Sequence, residues 1–359
     1  MFTLPDFPWD RLQPYKELAG RHPGGIVDLS VGTPVDPTPE PIQAALAAAA
    51  NAPGYPTTYG TPELRESIAG WLRRRAGVVG ADPDAVLPVI GTKEAVAWLP
   101  TLLGAGAGDK VVFPELAYPT YDVGARLAGA DSVATDGLLS LGPAAPKIVW
   151  VNSPSNPTGK VLPAEHLRKV VAWARERGSI VISDECYLEF GWDAKPVSIL
   201  DPEVCEGSHE GLLALNSLSK RSNLAGYRAG FITGDLALVK RLLEVRKHAG
   251  MIVPAPVQAA MIAAFDDDAH VDEQRERYAR RRAALRVAFE RHGFRIDHSE
   301  ASLYLWATRG ESCWDTVAHL AELGILVGPG EFYGEAGAQH VRIAFTATDE
   351  RVESGTARL

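Results

Sequence analysis

Between about residue 60 and residue 245 the chain repeats one pattern: an amphipathic helical stretch, a break rich in Gly, Pro and Asp, then a short apolar run. The runs are Val86 to Ile90, Lys110 to Phe113, Lys147 to Asn152, Ile180 to Asp184, Leu212 to Asn216 and Ala229 to Thr233. Short runs of this kind, alternating with helices, predict an α/β fold with a doubly wound, mostly parallel sheet covered on both faces. Further on, the Arg-rich helical stretch Asp272 to His292 has apolar positions at Tyr278, Leu285 and Phe289, and its basic residues are expected to form a solvated face. Strand patterns at Phe294 to Ile296, Ser302 to Ala307, Gly324 to Val327 and His340 to Phe345 surround a helix over Cys313 to Leu323, an α+β arrangement. An Ala-rich helix is expected over Pro41 to Ala50. The organisation implied is a large domain over 45–245 and a smaller α+β domain made from 1–44 and 246–359.

Composition narrows the function. The 359 residues carry a formal charge of -9 and no dense Lys/Arg stripe, which argues against a nucleic-acid surface and for small-molecule partners. There is no apolar run of bilayer length, and the start, Met1-Phe2-Thr3-Leu4-Pro5-Asp6, lacks a basic region followed by an apolar stretch. No membrane association and a cytoplasmic location are therefore expected. Cys186, Cys205 and Cys313 are widely spaced, without a Cys-x-x-Cys pair, so neither a disulfide framework nor a metal site is expected.

In doubly wound sheets ligands bind beyond the carboxyl ends of the strands, so residues just after the apolar runs are the candidates for chemistry. Ser217-Leu218-Ser219-Lys220 is followed by Gly226-Tyr227-Arg228. A lysine behind a buried strand, beside hydroxyls and an arginine, can lose its proton and attack a carbonyl, whereas a loop lysine without such neighbours is usually a surface cation. Asp184, with Tyr187 close behind, ends another run and can pair with a protonated pyridine nitrogen or simply cap a loop. Asn156 lies in Asn152-Ser153-Pro154-Ser155-Asn156-Pro157-Thr158-Gly159, either a turn or a donor to a ligand oxygen. Gly91-Thr92-Lys93 precedes a helix beginning near Glu94, where backbone N–H groups suit a phosphate. The glycine-rich stretch Gly104 to Asp109 has Asp where a dinucleotide fingerprint needs its third glycine, and it precedes a strand instead of a helix.

Together these segments resemble the fold-type I aminotransferases, in the family's order over almost the whole chain: Asn156-Pro157-Thr158-Gly159, Asp184 with Tyr187, then Ser217, Lys220 and Arg228 at the family's spacing. The resemblance implies a pyridoxal 5'-phosphate enzyme in which Lys220 holds the cofactor as a Schiff base and Asp184 faces the pyridine nitrogen. Asn156 and Tyr187 would bond the phenolic oxygen, and Thr92, Lys93, Ser217 and Arg228 the phosphate. Tyr118 matches the aromatic that stacks on the ring. Tyr55 matches the tyrosine lent to the phosphate of a neighbouring subunit, implying a homodimer with shared active sites. Arg342 matches the arginine that clamps the α-carboxylate, with a backbone N–H from Gly32 beside it.

The nearer resemblance is to actinobacterial succinyldiaminopimelate aminotransferases, carried by Leu4 to Asp10, Asp28 to Asp36 and Gly91 to Ala95. It implies exchange of an amino group between N-succinyl-LL-2,6-diaminopimelate and 2-oxoglutarate in lysine and diaminopimelate biosynthesis. A long dianionic substrate needs a second basic contact, for which Lys93 and Arg21 are the candidates. Aspartate or aromatic aminotransferases and pyridoxal-phosphate carbon-sulfur lyases share the cofactor residues and are the rival readings. A cofactor-binding protein without turnover would have no use for Lys220 and Arg342 together.

Overall fold

The computed structural model describes residues 4–143 and 145–359. Its strands, in chain order, are β1 (Val27–Leu29), β2 (Val86–Val89), β3 (Lys110–Phe113), β4 (Asp131–Ala134), β5 (Ile148–Asn152), β6 (Ile180–Asp184) and β7 (Leu212–Ser217), followed by β8 (Gly230–Gly234), β9 (Arg295–Asp297), β10 (Tyr304–Thr308), β11 (Ile325–Pro329) and β12 (Val341–Ala344). Seven of them form one sheet in the order β2-β8-β7-β6-β5-β3-β4, parallel except that β8 runs antiparallel to both neighbours. Each of the six runs read from the sequence became a strand of this sheet.

The apolar runs have a simple cause. Alternate residues of a strand face opposite sides of its sheet, and both sides here are covered. Val149, Val151, Val181, Leu212 and Ala214 enter one core with Trp71, Phe231 and Phe265. Ile148, Trp150, Ile182, Leu213 and Leu215 enter the opposite core with Tyr121. Each such buried Leu or Ile stabilises the fold by about 1.5–3 kcal/mol relative to exposure. β4 escaped the sequence reading because it is an edge strand, Asp-Ser-Val-Ala, with no fully buried position.

The second sheet, β1-β11-β12-β10-β9, joins the N-terminal strand to the C-terminal segment, with β1 parallel to β11. Its core takes Tyr278, Leu285 and Phe289 from the long helix Ala269–Arg291, the three positions singled out by their apolar character.

Two expectations need correction. The boundary at residue 245 falls inside the helix Leu236–Ala249, and the helix Ala255–Asp266, assigned to the smaller domain, puts Met261 and Phe265 into the core of the seven-stranded sheet. The basic face of the long helix is not wholly solvated either. Arg281 is only 4% exposed and holds Asp36 by two bonds, of 2.7 and 2.8 Å, while Arg282 donates to the Ser299 carbonyl at 2.9 Å. Sequence patterning counts an arginine as polar and cannot foresee a carboxylate brought from 245 positions away. Among the described residues no helix is long and apolar enough to cross a membrane.

Breaking a buried pair leaves one charge desolvated without its counter-ion. Arg281→Ala is therefore expected to destabilise the protein by roughly 3–5 kcal/mol, read as a lower denaturant midpoint in equilibrium unfolding.

Candidate active site

A cavity of about 510 Å³ opens between the carboxyl ends of the large sheet's parallel strands and the second sheet. Gly32, Thr92, Lys93, Tyr118, Asn156, Asp184, Tyr187, Lys220, Arg228 and Arg342 all line it. Residues spread over more than three hundred positions of sequence thus converge as the sequence reading expected.

Lys220 is positioned by the residues on either side. β7 is buried through Ser217, whose hydroxyl accepts from the Ser219 N–H at 3.1 Å and so caps the short helix Leu218–Arg221. Arg221 then points into the core, donating to Glu189 at 2.5 Å and to the Ala264 carbonyl at 2.6 Å. With both flanks fixed, the half-buried Lys220 is turned toward the cavity.

At one end of the cavity the helix Thr92–Leu102 begins at Gly91, whose φ is +75°. A Cβ at Gly91 would lie 2.2 Å from Arg228 Nη2, so glycine is required twice over: for the left-handed backbone and for the approach of the guanidinium. A helix N-terminus and an arginine aimed at the same space form an anion cradle.

In the middle lies Asp184, buried at the end of β6. Its Oδ2 accepts from the Tyr121 hydroxyl at 2.9 Å and its Oδ1 from the Cys186 N–H at 3.2 Å. The next residue, Glu185, turns the other way into the core, where it accepts from Ile199 N–H at 2.7 Å and the Ser198 hydroxyl, and burial pushes its carboxyl up to about 7. Tyr118 packs edge-on to Tyr121, ring centroids 6.0 Å apart, and burial pushes its phenol up to about 12.

At the far end is Arg342 of β12, 3% exposed. Its Nη1 donates to Asn156 Oδ1 and its Nη2 to the Ser30 carbonyl, both at 2.8 Å, while its buried Nε has no hydrogen-bond partner among the described residues. Because Asn156 Oδ1 accepts from a guanidinium that has no lone pair to offer, the Asn156 Nδ2 is left as a donor. The Tyr304 ring lies 4.0 Å from Arg342 Cζ and the Tyr333 ring 4.9 Å. Gly32 accommodates Tyr304 closely, since a Cβ there would lie 2.3 Å from the phenol oxygen.

Three expected residues lie elsewhere. Ser217 is not among the lining side chains; its hydroxyl oxygen accepts from the Ser219 N–H and keeps its own proton to donate. Tyr55 is 100% exposed, and Arg21 stands on the exposed end of the helix Gln13–Gly20, away from the cavity. Conversely, Tyr121, Tyr304, Cys186, Phe7 and Trp9 were not singled out, and Tyr121 holds Asp184 while the rest are in the wall. Tyr121 was within reach of sequence reasoning, three residues beyond Tyr118. Tyr304 was not, because an aromatic inside a strand pattern reads as core.

The model of the family described as "Aminotransferase class I and II" matches residues 25–359. The chain is 64% identical over its full length, and over the full length of the relative, to the 4-dedimethylamino-4-oxo-anhydrotetracycline transaminase OxyQ of Streptomyces rimosus. It is 66% identical over 99% of its length to the probable aminotransferase Rv1178 of Mycobacterium tuberculosis, covering 85% of that protein. An LL-diaminopimelate aminotransferase of Dehalococcoides mccartyi is 32% identical over 98% of the chain and 96% of its own length. Among solved structures, an aminotransferase from Neisseria meningitidis superposes with a TM-score of 0.90 at 32% identity, over 99% of this chain and 97% of that one. The chain thus belongs to the class I and II aminotransferases, a family that works with pyridoxal phosphate.

Proposed function

We propose that the enzyme moves the amino group of N-succinyl-LL-2,6-diaminopimelate to 2-oxoglutarate, in the cytoplasm and toward diaminopimelate and lysine, with Lys220 as the residue that holds the cofactor and moves the proton. The observation that carries the transaminase chemistry is the meeting of Lys220, Asp184 and Arg342 in one cavity, each suited to a different part of a cofactor and amino-acid pair.

The residues fit pyridoxal phosphate. The Thr92 end of its helix and Arg228 would take the phosphate, and Asp184, held by Tyr121, would face the ring nitrogen and keep it protonated. Asn156 Nδ2 and the Tyr187 hydroxyl would donate to the phenolic oxygen, with Tyr118 over the ring face. Bound there, the cofactor supplies an electron sink for charge developing at a substrate α-carbon. Arg342, whose Nε has no partner among the described residues, would clamp the α-carboxylate next to the Gly32 backbone. The Lys220 amine would then act as base and acid at that carbon, in two half-reactions with ping-pong kinetics. The Ser217 oxygen caps the helix as an acceptor, and its own proton would remain for the phosphate. The full exposure of Tyr55 supports a homodimer in which it serves the partner's site.

Support for a dianionic substrate comes from Lys93. It lines the cavity with its ammonium 5.5 Å over the Phe7 ring, and pairs with no carboxylate among the described residues. A cation in the first turn opposes the helix dipole, which a second substrate carboxylate would offset. Arg21, outside the cavity, is dropped. The likeness to LL-diaminopimelate aminotransferases agrees with this choice. A second reading is favoured by the 64% identity to OxyQ: amination of a ketone on a fused-ring substrate, for which Phe7 and Trp9 offer aromatic walls.

Borohydride reduction of the loaded enzyme followed by peptide mapping is expected to place the cofactor on Lys220; a label on another lysine would overturn the site. A screen of donors with 2-oxoglutarate should give the highest kcat/KM with the succinylated diamine. Activity with aspartate or aromatic amino acids alone, with a fused-ring ketone alone, or pyruvate release without an acceptor, would each replace the substrate proposed. Lys93→Gln should raise KM for the succinylated diamine about tenfold or more while sparing monocarboxylate donors, the loss expected for one charge-assisted contact. Gly91→Ala, which drives a methyl group into Arg228, should weaken cofactor binding at least about tenfold in equilibrium dialysis.

A further inference from the structure

The Tyr187 and Tyr304 hydroxyls are 2.8 Å apart in a buried pair, their rings edge-on with centroids 5.6 Å apart. Tyr304 is 3% exposed and has no freedom to leave. Its ring is pressed on one side by the Arg342 guanidinium at 4.0 Å, and its hydroxyl sits where a Cβ on residue 32 would be. The titratable and charged groups facing the pair are Arg342, Cys186, Tyr118 and Tyr333. None of these bonds to either phenol oxygen, so among the described residues the two hydroxyls have only each other.

A hydroxyl has one proton to give. If Tyr187 donates to the phenolic oxygen of the cofactor, the proton in the Tyr187–Tyr304 bond must come from Tyr304. We propose that Tyr304 is a positioning residue for the reaction: it donates to Tyr187, which fixes the direction of the Tyr187 proton and strengthens its donation to the cofactor's phenolic oxygen. The inference rests on the reading of Tyr187 given above. A phenol that accepts a hydrogen bond becomes a better donor, and in a buried site this polarisation is little screened by water. Tyr304 is in turn oriented by Arg342, so the side chain that would clamp the substrate also braces the pair that would tune the cofactor.

The consequence is readable in the absorption of the loaded enzyme. Negative charge on the phenolic oxygen is greatest when the nitrogen contributed by Lys220 has lost its proton, so a donor to that oxygen favours the deprotonated form and lowers the pH midpoint of the visible band. Tyr304→Phe keeps the ring against Arg342 and removes only the hydroxyl. It is expected to raise the midpoint by about half to one unit, the size of one modest hydrogen bond. Tyr187→Phe should raise it further. The decisive variant is the double one: because Tyr304 acts through Tyr187, adding Tyr304→Phe to Tyr187→Phe should move the midpoint no further. Thermal unfolding of the cofactor-free proteins should show all three variants folded. A Tyr304→Phe midpoint equal to the parent's, or a shift of equal size in both backgrounds, would overturn the inference while leaving the cofactor site as assigned. If Tyr187→Phe itself leaves the midpoint unmoved, the assignment of Tyr187 fails and the inference falls with it.

Discussion

The arrangement depends on one buried cation. Arg342 is removed from water almost completely, and an arginine in that position must find partners or destabilise the fold. It finds them in four distant segments: the Ser30 carbonyl just after β1, Asn156 in the turn after β5, the face of Tyr304 in β10 and that of Tyr333 after β11. Satisfying the guanidinium therefore holds the second sheet against the end of the first, and creates the cavity between them. The requirement is not fully met, since Nε has no partner among the described residues. A buried donor left in this state is a standing preference for an anion, and a carboxylate that arrives there gains what the fold itself did not supply.

The same logic organises the rest of the cavity. Its wall combines the guanidinium groups of Arg228 and Arg342 and the start of the helix Thr92–Leu102 with the carboxyl of Asp184. Each group is braced by a neighbour: Asp184 by Tyr121, Asn156 by Arg342, Lys220 by the cap at Ser217 and the anchored Arg221. Such bracing limits reorganisation when a ligand binds, which is the main contribution a protein makes to cofactor chemistry.

Much of this was legible in the sequence because it is local. Strands buried on both faces announce themselves as unbroken apolar runs, and the candidate residues sit at their ends or within four residues beyond, as at Asp184, Asn156 and Lys220. What stayed hidden depends on pairing across the chain. Arg281 looked like a surface charge until Asp36 was brought to it, and the helix Ala255–Asp266 looked like part of the smaller unit until it packed beside Trp71. β1 and β4 were too short or too polar to stand out. Tyr304 carried no signal at all, because the reading of an aromatic in a strand changes only when its hydroxyl is seen to meet another.

The most direct test of the account compares the parent with Lys220→Ala in a single half-reaction, mixing loaded protein with an amino donor and following the visible absorption. Loss of the amine proposed to move the proton at the α-carbon is expected to slow the change by at least about a hundredfold, with the cofactor still expected to bind through Asp184, Arg228 and the helix start. A Lys220→Ala protein that converts as fast as the parent would contradict the account.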